Sequence, residues 1–183
     1  CTSQCQTYNQ VSVPYNEGGF QYAHSGVSYV VIYTYLSDTE SYHPFYSNYY
    51  NYRDYIEATL TSPLQAGEKY YVTFYLNLAN ICAFACNDIG MYISDSAIVF
   101  NNSVISRVKE YLTPQIANNP ITNPLTDTLN WTKISGIYIA NGGEQYIVIG
   151  NFKNDTVSNI IYYGPASASC QAAYYYIDDV IVT

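Results

Sequence analysis

An antiparallel β-sandwich, a jelly roll of about eight strands, is the fold expected of this chain, and three observations carry that expectation. β-Branched and aromatic residues alternate with polar ones over short runs. Clusters of Gly, Pro, Asn and Ser separate the runs, and nowhere does the chain show the period of a long amphipathic helix or a fixed-length repeat. At 183 residues it fits one domain, 1–183, that can bury roughly two-thirds of its unfolded surface, so neither metal nor disulfide is required to hold a core.

Taken in order, residues 1–26 are polar and punctuated by Pro14, Gly18, Gly19 and Gly26, which predicts an extended N-terminal segment rather than a core strand. Residues 27–36, V-S-Y-V-V-I-Y-T-Y-L, are the first long β-branched and aromatic run and predict a central strand. The loop 37–53 carries Tyr42, Phe45, Tyr46, Tyr49, Tyr50 and Tyr52, and exposed aromatics at this density mark a contact surface. Residues 55–61 alternate, with Ile56, Ala58 and Leu60 on one face. Residues 69–79 alternate again, pointing Tyr70, Val72, Phe74, Leu76 and Leu78 inward and Tyr71, Thr73, Tyr75 and Asn77 outward.

Residues 82–86 read as a connection and 89–93 as a further strand. The stretch 95–128, interrupted by Pro114, Pro120 and Pro124, predicts short edge strands and loops with at most one helical turn over 106–111. Residues 130–152 read as a β-hairpin closed at Asn141-Gly142-Gly143, because Asn-Gly and Gly-Gly accept the positive φ of tight turns. A loop over 154–170 precedes the closing strand, 172–183. Trp131 is expected in the core.

Only 11% of residues are charged and 24 are Tyr, so the surface must be covered by Tyr, Asn, Ser, Thr and Gln. The net charge of −8 repels phosphate backbones and anionic lipid, which excludes nucleic acid as a partner. No apolar run approaches the ~20 residues of a membrane-spanning helix. Cys1, Cys5, Cys82, Cys86 and Cys170 include two C-x3-C pairs, but His24 and His43 lie far from both in sequence, so disulfides in an oxidising compartment are favoured over zinc. The odd count leaves one thiol over, free, lipidated at Cys1 or bonded to another chain, and a chain that begins at Cys1 is expected to have been processed. Glu57, Glu144 and Asp127 are candidate carboxylates for glycoside hydrolysis, yet no motif fixes their separation, and neither His has a recognisable nucleophile partner. Catalysis is not expected.

V-P-Y-N-E-G-G-F-Q-Y-A-H-S-G (13–26), Y-I-E-A-T-L-T-S-P-L-Q-A-G-E-K-Y-Y-V-T-F-Y (55–75), D-T-L-N-W-T-K-I-S-G (127–136), G-G-E-Q-Y-I-V-I-G-N-F (142–152) and Y-Y-I-D-D-V-I-V (175–182) together cover nearly the whole chain. They resemble a domain of secreted and outer-surface proteins of Bacteroidota, itself similar to the galactose-binding-like jelly rolls of carbohydrate-binding modules and found beside gliding, adhesion or peptidoglycan-anchoring modules. The resemblance implies an extracellular or cell-surface location. It also implies calcium as a candidate cofactor, with Asp178 or Asp179 in the last strand as ligand. Family members begin with a further strand that pairs near the final one, so either the sequence is a piece of a longer chain or a sheet edge stands open there. D-S-A at Ser96, D-T-L at Thr128 and D-T-V at Thr156 are similar to the short O-glycosylation signal of Bacteroidota.

The leading expectation is therefore a non-enzymatic surface subunit of a filament, sheath or adhesin, self-assembling through Tyr-rich contacts and strand addition. The loop tyrosines with Tyr55, Tyr71 and Tyr75 would form its contact surface. The alternative is a carbohydrate-binding module, calcium-dependent or not, in which the same rings stack on polysaccharide.

Overall fold

The computed structural model describes residues 12–37, 50–98, 108–164 and 170–183. Within them the chain forms β1 (Tyr15–Asn16), β2 (Gly19–Phe20), β3 (Val30–Leu36), β4 (Ile56–Thr59), β5 (Lys69–Leu78), β6 (Phe84–Cys86), β7 (Gly90–Ser94), β8 (Ile116–Ala117), β9 (Thr132–Ile139), β10 (Tyr146–Gly150), β11 (Ile160–Tyr162) and β12 (Ala172–Val182), with no helix among the described residues. Two four-stranded sheets, ordered β3-β12-β5-β9 and β4-β10-β7-β8, make the sandwich, and every strand pairing is antiparallel.

Among these eight strands the first pairs with the last (β3 with β12), the second with the seventh (β4 with β10), the third with the sixth (β5 with β9) and the fourth with the fifth (β7 with β8). That nesting is a long antiparallel hairpin rolled up on itself, which is a jelly roll. The small strands form two satellite ribbons, β1 with β2 and β6 with β11.

The core lies between the sheets. Val72, Phe74, Leu76 and Leu78 of β5, Met91 and Ile93 of β7, Ile147 and Ile149 of β10, and Tyr175 and Ile177 of β12 meet there, all buried. Each aliphatic side chain so buried contributes about 1.5–3 kcal/mol. Tyr175 brings a hydroxyl into this space and satisfies it by donating to the Leu125 carbonyl at 2.6 Å and accepting from the Cys86 amide at 3.0 Å.

β12 is buried along both faces from Ala172 to Ile177 because the second face is also covered. Tyr174 and Tyr176 point away from the sandwich, and the N-terminal segment lies across them. A Cβ on Gly18 would stand 2.7 Å from the Tyr176 hydroxyl and 2.9 Å from the Tyr174 ring, so only glycine allows this approach. The segment expected as an extended piece outside the core is, over residues 12–26, a strap on the outer face of the first sheet.

Other expectations need correction. The two strands of 130–152 do not pair with each other: β9 bonds to β5 in one sheet, and β10 bonds to β4 and β7 in the other. The Gly142 and Gly143 turn, at φ 103° and 94°, passes the chain between sheets instead of closing a hairpin. The two glycines do take the positive φ of a turn, but local turn chemistry does not choose the pairing partner. β3 is an edge strand rather than a central one, and the centre is held by β12 and β5. In β4 Ile56 packs on the core while Ala58 is exposed, since a four-residue edge strand twists away. The 82–86 connection and the 154–170 loop each contain a three-residue strand, β6 and β11, too short for any periodicity to show. The last strand, expected to border an open edge, has neighbours on both sides.

Candidate ligand-binding surface

The strap is tied down at a β-bulge in β12. Register shifts between Asp178 and Ile181, where Asp179 adopts φ 47°, a left-handed conformation that Asp tolerates better than most residues. The bulge turns both carboxylates toward the strap. Asp178 Oδ2 accepts from the backbone amides of His24 at 2.8 Å and Ser25 at 3.3 Å, while Asp179 meets the His24 ring at 2.6 Å and the Ser25 hydroxyl at 2.5 Å. The Ser25 and His24 hydrogen bonds hold the Asp179 carboxyl below its ordinary range. The pair proposed for calcium thus serves as a latch. No group of three or more His, Cys, Asp and Glu gathers at ligating distance among the described residues.

Further back along the strap, the Asn80 side chain accepts from the Phe20 amide and donates to the Phe20 carbonyl. Asp127 fixes the opposing loop by accepting from the Leu129 and Asn130 amides, each at 2.8 Å. Partial burial would raise the Asp127 carboxyl, but the Asn130 and Leu129 bonds outweigh it and bring it below the usual range. Between the two loops lies an open recess of about 340 Å³ whose walls include Phe20, Tyr22, His24, Asn80, Leu129 and Trp131.

Aromatic rings dominate this surface. Trp131 is half-buried and its indole N–H donates to the Tyr22 carbonyl at 3.1 Å, so it belongs to the wall of the recess rather than to the sandwich core. His24 stacks on Tyr75 with ring centres 3.8 Å apart and meets Trp131 edge-on at 5.9 Å. Phe20 stands edge-on between Tyr15 and Tyr22, whose rings are 66% and 67% exposed. The result is a strip of ring faces and edges running into a recess with Asn80 and Thr128 beside it. Such a strip offers flat apolar contact together with hydroxyl and amide groups, the pattern of a small-ligand site. A second recess, of about 270 Å³, lies on the other side of the sandwich against Ile89, Leu112, Pro114 and Phe152, with the Asp88–Lys153 ion pair among its walls.

Of the tyrosines singled out from sequence, Tyr42, Phe45, Tyr46 and Tyr49 lie outside the described residues, as do His43, Cys1 and Cys5. Tyr50 and Tyr71 are exposed. Tyr52 packs beside Leu36 and Ala172, and Tyr55 turns inward, its ring on Phe152 and its hydroxyl bonded to the Asn151 carbonyl and the Lys109 amide. Burial raises the Tyr55 hydroxyl well above its ordinary value. Tyr75 lies under His24. The rings that frame the recess were missed, although Tyr15, Phe20 and Tyr22 alternate around a Gly-Gly turn in Y-N-E-G-G-F-Q-Y, a signal that the segment presents rings on one side.

Cys82 is bonded to Cys170, and Cys86 is a free, fully buried thiol that burial pushes up to about 11. The carboxylates considered for catalysis are spent separately. Glu57 accepts from the Ile98 amide, Asp127 caps its own loop, and Glu144 accepts from Tyr138, Asn141 and Gly142. Ser96 and Thr156 are exposed and Thr128 is half-buried at the recess.

No family model matches the chain, and no curated protein matches it. Among solved structures it is similar to one titled "PbXyn10C CBM APO", at 12% identity and a TM-score of 0.41, over 84% of this chain and 65% of that one. The chain therefore spans just under two-thirds of that neighbour's length.

Proposed function

We propose that this protein is a non-catalytic carbohydrate-binding module of an extracellular or cell-surface protein, and that the aromatic recess is its site. The observation that carries this reading is the strip of exposed Tyr15 and Tyr22 rings leading to Trp131, with Asn80 and Thr128 alongside. A pyranose presents an apolar face of C–H groups and an equatorial rim of hydroxyls, which matches ring faces flanked by amide and hydroxyl groups. The net charge of −8 favours neutral over acidic glycans. The Cys82–Cys170 disulfide suits an oxidising compartment. Because Asp178 and Asp179 spend oxygens on His24 and Ser25, binding is expected without calcium.

The test is calorimetry or affinity electrophoresis against a panel of neutral polysaccharides, with and without chelator. Trp131→Ala and Tyr22→Ala are each expected to weaken binding tenfold or more, about 1.4 kcal/mol, and Tyr22→Ala, at an exposed ring, should do so at unchanged melting temperature. Saturable binding that neither substitution affects would refute the site. Self-association, the role that the sequence put first, draws its support from a different surface, where Tyr71 of β5 and Ile137 and Ile139 of β9 are exposed.

A further inference from the structure

The two outer edges of the first sheet are treated differently. On β3, Tyr33 gives its amide to the Asp54 carboxylate at 3.1 Å and its carbonyl accepts from the Asp54 amide at 2.8 Å, so that edge is closed where Asp54 crosses it. β9 has no such cover beyond its first residues. Just past its end, Ala140 donates to Glu68 and accepts from Gly67, so the even-numbered residues of this strand bond toward β5. By alternation, the N–H and C=O groups of Lys133, Ser135, Ile137 and Ile139 face the free side. Asn123 takes the Lys133 carbonyl at 3.0 Å, and among the described residues no partner meets the backbone of Ser135, Ile137 or Ile139.

This edge also lacks the devices that keep edges apart. β9 pairs with β5 over eight consecutive residues without a bulge, and from Ile134 to Ala140 it contains no charge and no proline. Ile137 and Ile139 are 55% and 61% exposed, beside Tyr71 and Ile181 on the same outer face. The charged residues of β5 and β9 are Lys69 and Lys133, so the acidic surplus that would hold copies of this protein apart is absent from both strands.

We propose that β9 is a strand-addition site for β9 of a second copy, paired antiparallel about a two-fold axis at Ile137. The proposal rests on the self-association reading and specifies its geometry; it is independent of the carbohydrate site. The partner must offer an extended strand that is uncharged over the paired residues and has one edge already free, and β9 of another molecule is such a strand from Ile134 onward, at no cost in unfolding. Centred on Ile137, the register sets Ser135 opposite Ile139 and exchanges about six hydrogen bonds. Lys133 then faces Asn141 of the partner, which keeps the lysines apart. The Tyr71, Ile137 and Ile139 faces of the two copies become one apolar surface across an eight-stranded sheet.

Sedimentation velocity over a wide concentration range, with hydrogen exchange read at single amides, tests this. The expected result is a monomer–dimer equilibrium in which the Ser135, Ile137 and Ile139 amides become at least tenfold more protected as dimer forms. Ser135→Pro removes an amide on the free side only, and Ile137→Lys sets like charges at the two-fold. Each should raise the dimer dissociation constant tenfold or more, while Ile121→Ser, at a distant exposed position, should not. Dimers without protection of those amides, or insensitive to both variants, would overturn β9 pairing while leaving self-association standing. A monomer at every concentration would overturn both. The exchange measurement needs only the unaltered protein, so a misfolded variant does not rescue the proposal.

Discussion

A carboxylate in a chain with six Lys and Arg must find most of its partners among neutral donors, and Glu144 finds three. Its oxygens accept from the Tyr138 hydroxyl at 2.6 Å and from the Asn141 and Gly142 amides at 2.7 and 2.9 Å, which fixes the passage from β9 to β10 between sheets. Burial alone would raise this carboxyl, but those hydrogen bonds hold it below its ordinary value. A carboxyl depressed in the folded state stabilises the fold above its unfolded pKa, and that contribution is lost as pH falls through the lower, folded value. Asp127 and Asp179 are depressed as well and add in the same direction. Glu144→Ala leaves the buried Tyr138 hydroxyl and two partly buried amides without this acceptor and should cost about 1–3 kcal/mol at neutral pH. In Glu144→Gln the loss of stability below about pH 4.5 should be shallower than in the parent, as thermal melts across that range would show. Parallel pH profiles for parent and Gln variant would mean that the carboxylate does not carry the turn.

At the scale of elements, the Cys82–Cys170 bond ties the connection before β6 to the start of β12, across a sequence separation of 88. Closing a loop of that size removes denatured-state freedom worth ~2–4 kcal/mol in practice. Replacing both cysteines by Ala should lower the denaturant midpoint accordingly with an unchanged fold, and an unmoved midpoint would show that the bond is idle. That pairing was beyond the sequence, where five cysteines admit many connectivities and C-x3-C spacing draws the eye to Cys82 with Cys86. Strands with a long clean alternation were legible: β5 buries Val72, Phe74, Leu76 and Leu78 as its pattern demands. Asn77 broke that pattern because its amide donates to the Asp127 and Asn130 carbonyls, a long-range use that no local period reveals. The recess was harder still, since it joins the strap at 20–24 to residues 80 and 128–131, and such joining belongs to topology.

Across the whole molecule, tyrosine does two jobs that the composition alone did not separate. Some rings line the surface, among them Tyr15, Tyr22 and Tyr71, while Tyr174, Tyr175 and Tyr176 run consecutively through the middle of the first sheet, buried on both faces. The strap makes this possible, because without it Tyr174 and Tyr176 would face water and β12 would alternate like β5. Burial raises the hydroxyls of Tyr55, Tyr174, Tyr175 and Tyr176 well above their ordinary value, and burial together with the Glu144 carboxylate pushes Tyr138 up to about 12. A group whose pKa is raised in the folded state contributes stability that is present below the unfolded value and is lost as pH rises through the folded one. The five therefore act together: above about pH 10 the unfolded chain gains by ionising them and the folded chain does not. Their ionisation is expected in one cooperative step that coincides with loss of the near-ultraviolet dichroism, as a parallel tyrosinate absorbance titration would show. If strap release at the His24–Asp179 latch comes first, Tyr174 and Tyr176 should titrate ahead of Tyr175, which the sandwich core shields independently of the strap. Gradual titration of all five with the dichroism intact would refute this account of β12.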